Sequence, residues 1–223
     1  MKITKDYEGL RRIENGDYVL NGNLISDEDI EIELDDRLIV KGIIESKKNI
    51  RVNVILIVDC SIEAGEGIIA GWCIIAGWGI KAGCGIKAGW GIEAGEGIKA
   101  GCGIIADWGI EAGEGIIAGW GIIAGWGIKA GCGIKAGEGI IAGCGIEAGC
   151  GIEAGEGIIA GDGIISKTYL CAGKRIFAGT SIYRTSENCD QTIRCEELRS
   201  GEICYGKLII TKKQPVFDNN AGE

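Results

Sequence analysis

The sequence contains no histidine and only one proline. Without histidine, the chain lacks the most frequent general base, the Ser-His and Cys-His nucleophile pairs, and the imidazoles that are usual zinc ligands. A collagen helix is also excluded, because proline is scarce although there are 41 glycines. We therefore expect no catalytic residue, no cofactor and no metal site, and hence a protein that is not an enzyme.

Long apolar segments and an excess of basic residues are also missing. Glycine or a charged residue interrupts the chain every few positions, so we expect no membrane span. The net charge of −9 argues against binding nucleic acid through its phosphates. Met1–Arg12 is charged and has no apolar core, so we see no signal peptide. We therefore expect a cytosolic protein whose eleven cysteines are thiols.

A six-residue repeat dominates the chain. From Ile62 to Ile164, isoleucine occurs at every sixth position, in units such as Ile86-Lys87-Ala88-Gly89-Trp90-Gly91. The Ile-x-Ala spacing has a period of two and places both apolar side chains on one face of a short strand. The Gly-x-Gly that follows predicts a tight corner, where we expect glycine to adopt positive φ. Three strands and three corners would close a triangular coil made of three repeats, so equivalent positions would recur in steps of 18.

The two variable positions of the repeat support this coil length. In steps of 18, Trp72, Trp90, Trp108 and Trp126 fall into one corner column. Cys102 follows Cys84 in a second column, Cys150 follows Cys132 in a third, and glutamates share both columns. Vertical neighbours in such a parallel sheet are about 4.8 Å apart. The cysteine pairs could approach disulfide distance or hold a metal, but we interpret them as corner-filling thiols and the glutamates as solvated carboxylates.

The register extends beyond the obvious repeat. It continues forward to Ile182 and backward to Ile32, with Leu34 in the alanine position. We therefore predict an all-β protein: a single-stranded, triangular parallel β-helix, right-handed in sense, over residues 30–182. It would contain eight or nine coils. Residues 1–29 and 183–223 depart from the repeat and are predicted to be an N-terminal cap and a C-terminal cap or tail.

The residue between Ile and Ala must point outward if those two point inward. On one side of the coil this position is mainly isoleucine, whereas the other two sides carry mostly Lys and Glu. Exposed apolar strips of several hundred Å² usually mark interfaces. The predicted association surface consists of this strip and the adjoining tryptophan corner: Ile69, Ile105, Ile123, Ile141, Ile159, Trp72, Trp90, Trp108 and Trp126.

The Ile-x-Ala-Gly repeat over residues 32–182 resembles the β-helices of bactofilins and related polymer-forming bacterial proteins. This resemblance implies a right-handed triangular helix, a cytosolic scaffolding role and end-to-end polymerisation. The long non-repeat ends depart from the bactofilin pattern. Left-handed hexapeptide acyltransferases are the alternative, but their motif needs a small residue where this chain has Trp, Cys or Glu.

Two functional hypotheses follow. The first is a non-catalytic structural or protein-interaction rod that associates through its Ile/Trp side, with itself as a homodimer or higher oligomer, or with another protein. The second is an acidic binding inhibitor that imitates DNA and occupies the groove of a nucleic-acid-processing enzyme. A true mimic would show continuous rows of carboxylates, and the mixed Lys/Glu columns weaken that hypothesis.

Overall fold

The computed structural model describes residues 1–180 and 191–211. Within these ranges the chain is all β, and its strands, in chain order, are β1 (Lys2–Ile3), β2 (Leu10–Arg12), β3 (Tyr18–Leu20), β4 (Leu24–Ser26), β5 (Ile30–Ile32), β6 (Leu38–Val40), β7 (Ile44–Ser46), β8 (Ile50–Val52), β9 (Leu56–Val58), β10 (Ile62–Ala64), β11 (Ile68–Ala70), β12 (Ile74–Ala76), β13 (Ile80–Ala82), β14 (Ile86–Ala88), β15 (Ile92–Ala94), β16 (Ile98–Ala100), β17 (Ile104–Ala106), β18 (Ile110–Ala112), β19 (Ile116–Ala118), β20 (Ile122–Ala124), β21 (Ile128–Ala130), β22 (Ile134–Ala136), β23 (Ile140–Ala142), β24 (Ile146–Ala148), β25 (Ile152–Ala154), β26 (Ile158–Ala160), β27 (Ile164–Ser166), β28 (Tyr169–Ala178), β29 (Thr192–Cys195), β30 (Glu197–Tyr205) and β31 (Lys207–Ile210).

These strands form the three faces of a parallel solenoid. Face A contains every third strand from β4 to β25, face B every third strand from β5 to β26, and face C every third strand from β3 to β27. Consecutive strands of a face pair in parallel and in register, and the partners are three repeats apart, as in Ile62 opposite Ile80. The predicted fold class and the coil of about 18 residues are confirmed. The described residues make about ten turns. Eight or nine coils were predicted for residues 30–182 alone, and strands outside that range add to the stack.

The core is a stack of aliphatic side chains. Ile and Ala of each repeat are buried, whereas the residue between them points outward, as the alternation predicts. Ile110, in the first position of β18, is 1% exposed, and Ile123, in the middle of β20, is 43% exposed. Burying a side chain of this size is worth about 1.5–3 kcal/mol, so each added coil extends one continuous apolar core.

The register at the N-terminal end differs from the prediction. Ile30 lies opposite Ile50, and Ile32 lies opposite Val52, so Ile32 occupies the alanine position and Leu34 lies in the following corner. The backbone N–H of Leu34 there donates to the side chain of Asn53 at 3.0 Å. This corner is two positions longer than those of the repeat, which the six-residue count could not reveal.

Parallel stacking also begins earlier than residue 30. β3 and β4, within the predicted N-terminal cap, already pair in parallel with β6 and β7. β1 pairs in parallel with β5 on face B, and β2 lies antiparallel to β3 and covers the edge of face C. The end of the rod is therefore closed by strands of the solenoid together with one reversed strand.

The corner glycines serve a different purpose from the one predicted. No glycine of the regular repeat has positive φ. The first glycine of each corner instead lies directly against the carbonyl oxygen of the preceding coil, so a Cβ on Gly113 would overlap the oxygen of Gly95. The second glycine has more space, since a Cβ on Gly115 would lie 3.4 Å from the oxygen of Gly133. Close stacking of the coils explains the first glycine of the repeat.

The C-terminal end is less regular. β28 runs without a break along face A and then face B, pairing first with β25 and then with β26. β30 covers β28 with several register shifts, while β29 and β31 continue face C. Part of the predicted C-terminal end lies outside the described residues. This part comprises Ile182, the predicted end of the repeat, and residues 183–190 and 212–223 of the predicted cap.

Candidate interaction surface

The outward residues of face B form a strip of isoleucines. Each occupies the middle of a three-residue strand, so its side chain points away from the core. Parallel in-register pairing places Ile105 beside Ile123 and Ile123 beside Ile141, and Ile141 beside Ile159 on the next coil. Ile69, Ile105, Ile123 and Ile141 are exposed, and Ile159 is half-buried. Lys87, between Ile69 and Ile105, is the one charge in this series.

Two aromatic residues extend this strip toward the C-terminus. Phe177 pairs with Ile159, and Tyr205 of β30 pairs with Phe177. We call the column from Ile69 to Tyr205 the face B strip. Tyr205 was not predicted, because residues 179–191 separate β28 from the next strand and interrupt the six-residue count. From Ile105 to Tyr205 the strip is therefore apolar or aromatic on every described coil.

The tryptophans of the corner between faces B and C form a stacked ladder. Successive ring centroids are 5.1 Å apart for Trp72 and Trp90, 5.8 Å for Trp90 and Trp108, and 4.9 Å for Trp108 and Trp126. The rings of the last pair are nearly parallel, with planes at 3°. All four side chains remain 44–53% exposed. Their faces are occupied by one another, so the ladder presents mainly ring edges to solvent.

The ladder also borders a groove over face C. Trp90, Trp108 and Trp126 line this groove of about 750 Å³ together with acidic residues of face C. Glu111 there is neutralised by Lys129, at 3.4 Å. None of the face B isoleucines lines the groove. The predicted strip and the predicted tryptophans are thus neighbours on two sides of one corner and do not share a cleft.

Ion pairs link adjacent coils at several points on the other faces and corners. On face A, Lys81 pairs with Glu63, and Lys135 pairs with Glu153 at 2.8 Å. Lys174 pairs with Glu156 at 2.6 Å on the corner between faces A and B. Exposed pairs of this kind contribute little to stability, about 0–1 kcal/mol each. They do interrupt the acidic columns, so these carboxylates do not form unbroken rows.

Comparison with known proteins returns no relative, since no protein-family model, curated protein or solved structure matches this chain. The stacked coils, with a strand about every six residues, nevertheless show that the chain is a β-solenoid of hexapeptide repeats. Within the described residues there is no helix long and apolar enough to cross a membrane.

Proposed function

We propose that this protein is a non-catalytic structural rod of the cytosol that associates with a second copy of itself through the face B strip. The observation that carries this proposal is the run of outward apolar residues from Ile105 to Tyr205 on one face. On the coils from Ile105 to Ile159, the equivalent positions of faces A and C carry Lys or Glu except at Ile117 and Ile165. Exposed isoleucine and aromatic side chains gain free energy when a second surface removes them from water.

The size of the strip is compatible with a dimer of moderate affinity. Eight stacked strands carry the strip from Ile69 to Tyr205, which corresponds to a length of about 34 Å at the spacing of stacked strands. One side of the coil is about 15 Å wide, which gives about 500 Å² per chain and about 1,000 Å² per dimer. This area lies at the lower limit for specific interfaces, so we expect association in the micromolar range.

Lys87 favours one orientation of the two rods. A twofold axis along the rod would place the Lys87 ammonium groups of both copies opposite each other, which is repulsive. A twofold axis across the rod makes the copies antiparallel and brings Lys87 opposite a different coil. We therefore propose an antiparallel dimer centred on the C-terminal half of the strip, where no charge interrupts it.

The resemblance of the repeat to bactofilins supports a scaffolding role, and in that family it would imply filaments joined end to end. The reversed β2 strand and the irregular β30 differ from the open ends that such growth requires. Side-by-side pairing through face B needs no open end. For the alternative of a DNA-mimicking inhibitor, the Lys–Glu pairs on faces A and C provide no support.

Ile117 and Ile123 provide a matched test. They occupy the middle position of successive strands in one coil and are 44% and 43% exposed, but Ile117 lies on face A. We expect Ile123→Glu to weaken dimerisation at least about tenfold, because it would bury a carboxylate in an apolar interface. Ile117→Glu should leave it unchanged. Sedimentation velocity over a concentration series measures both, and equal effects of the two substitutions would contradict the proposal.

A further inference from the structure

Four cysteines form two stacked pairs at the corners of the rod. Cys102 lies directly over Cys84, and its backbone N–H donates to the Cys84 carbonyl at 2.9 Å. Cys150 lies over Cys132 with the same hydrogen bond, also at 2.9 Å. The first pair is on the corner between faces A and B, and the second on the corner between faces C and A. None of these thiols is buried, so both pairs can be reached from solvent.

The repeat fixes the distance within each pair. Two residues in the same corner of successive coils are related by a translation of about 4.8 Å along the rod. Their Cβ atoms, and their sulfur atoms in a common rotamer, are separated by about the same distance. A disulfide needs Cβ atoms about 3.5–4.5 Å apart and sulfurs at about 2.05 Å. The Cα spacing lies within the range of disulfides, but the Cβ atoms are a few tenths of an ångström too far apart, so a disulfide would require a local shift of the coils.

The same spacing fits a metal ion bridging the two sulfurs. A metal–thiolate bond is about 2.3 Å long, so two such bonds in line span about 4.6 Å. Soft thiolate ligands suit Cu(I), zinc and iron–sulfur clusters, but structural zinc sites and the clusters take four protein ligands. Cu(I) accepts two ligands in a linear arrangement, so it needs no third donor. No group of three or more Cys, Asp or Glu side chains that could hold a metal occurs in the described residues.

We propose that Cys84/Cys102 and Cys132/Cys150 are two thiolate sites that each bind one Cu(I) ion in linear S–Cu–S geometry. Binding breaks two S–H bonds and forms two Cu–S bonds, and both protons pass to solvent. Copper remains Cu(I), so no oxidant or reductant takes part. From the sequence we favoured corner-filling thiols over a metal, because the stacking of the two cysteines of each pair was then itself only a prediction.

The surroundings of the thiols predict how binding depends on pH. Partial burial, and then the charge and hydrogen bonding of Cys84, raise the pKa of Cys102 above its usual value. Desolvation, and then the charge and hydrogen bonding of Cys150, raise the pKa of Cys132 in the same direction. Since two protons leave when the metal binds, Cu(I) affinity should increase as the pH rises.

The test is a Cu(I) titration of the full chain under anaerobic conditions, with bicinchoninate as the competing coloured ligand. We expect two tight equivalents for the parent, one for Cys102→Ser, one for Cys150→Ser and none for the double variant. Loss of one thiolate of a pair should lower affinity at that site at least about 100-fold, since the second bond is intramolecular. Cys60→Ser is the control, because the next residue in its column is Trp78.

Two results would overturn the proposal. The first is a double variant that keeps both tight equivalents, or a Cys60→Ser variant that loses as much as Cys102→Ser. The second is rapid formation of Cys84–Cys102 and Cys132–Cys150 disulfides with a small disulfide reagent, seen by mass spectrometry of peptides. That product would mean that the coils approach more closely than the spacing argument requires. Serine is close in size to cysteine, so the variants should fold like the parent.

Discussion

Gly113 and Gly115 flank the same corner residue, Glu114, yet we expect their replacement by alanine to have very different effects. Neither glycine has positive φ, so alanine is compatible with both backbones. A Cβ on Gly113 would overlap the Gly95 carbonyl oxygen, whereas on Gly115 its nearest neighbour, the Gly133 oxygen, is 3.4 Å away. The pair therefore separates steric contact between coils from conformational freedom of glycine.

The expected cost can be worked out from the hydrogen bonds between coils. Relieving the overlap at Gly113 requires a shift of about 1 Å or more to restore normal van der Waals separation. The hydrogen bonds from the N–H of Gly113 to Ala94 and from that of Glu114 to Glu96, both 3.0 Å, cross this gap. Weakening two such bonds at about 0.5–1.5 kcal/mol each, together with looser core packing, gives about 2–4 kcal/mol.

Asp107 shows how the rod accommodates a side chain at this position. It occupies the place of the first corner glycine, and its N–H donates to Ala88 at 3.3 Å, compared with 3.0 Å for the equivalent bond of Gly113. The distortion remains local, so we expect Gly113→Ala to fold with reduced stability. Gly115→Ala should change stability by less than about 1 kcal/mol, because alanine also restricts the unfolded chain.

Chemical denaturation followed by circular dichroism measures the overall effect. Hydrogen exchange of the amides around Gly113 measures the local effect, which matters because long solenoids need not unfold in one step. Our reasoning would be refuted if both variants lost the same stability, or if Gly115→Ala were the more damaging. Either result would mean that positive φ or chain entropy, rather than contact between coils, accounts for the glycines.

Two further predictions concern the core and the N-terminal turns. Ile110→Asp should lower the free energy of unfolding by several kcal/mol in a denaturation experiment, because it buries an unpaired carboxylate. Ile123→Asp should leave the monomer as stable as the parent. If both variants melted like the parent, our assignment of inward and outward residues would be wrong. The pKa of Asp29 is lowered from 3.8 to about 2 by hydrogen bonds from the Asn49 backbone, the Arg51 guanidinium and the Asn49 side chain. Since the folded pKa is the lower one, this stabilisation is present above about pH 4 and is lost as the pH falls through about 2. Acid titration monitored by hydrogen exchange at Asn49 should therefore show less change in Asp29→Asn than in the parent, and an identical acid response would show that Asp29 does not contribute.

The six-residue pattern was sufficient to predict the coil and its inner and outer residues. The tryptophan column was decisive, because Trp72 to Trp126 fit a step of 18, and the ring distances between neighbours agree with it. The repeat could not reveal the longer corner after Ile32, since Leu34 is itself buried and apolar and satisfies the six-residue count. In the sequence, a buried apolar residue in a corner cannot be distinguished from one in the alanine position of a strand.

Other features depend on distances that a sequence does not contain. The reason for the first corner glycine is a contact with the preceding coil, three repeats earlier in the chain, which the local pattern does not show. Tyr205 joins the face B strip through β30, after a segment with no repeat. The right-handed sense of the helix stays a prediction, as do the cytosolic location and the association through face B.

The mass of the particle in solution tests the central claim most directly. Light scattering over a range of concentrations should show the parent approaching twice the chain mass of 23.4 kDa. The variant with Ile105, Ile123 and Ile141 all replaced by lysine should stay at the mass of one chain, because each dimer would otherwise bury six ammonium groups against apolar side chains. A parent that remains monomeric at all concentrations, or a triple variant with the same oligomeric mass as the parent, would contradict association through face B.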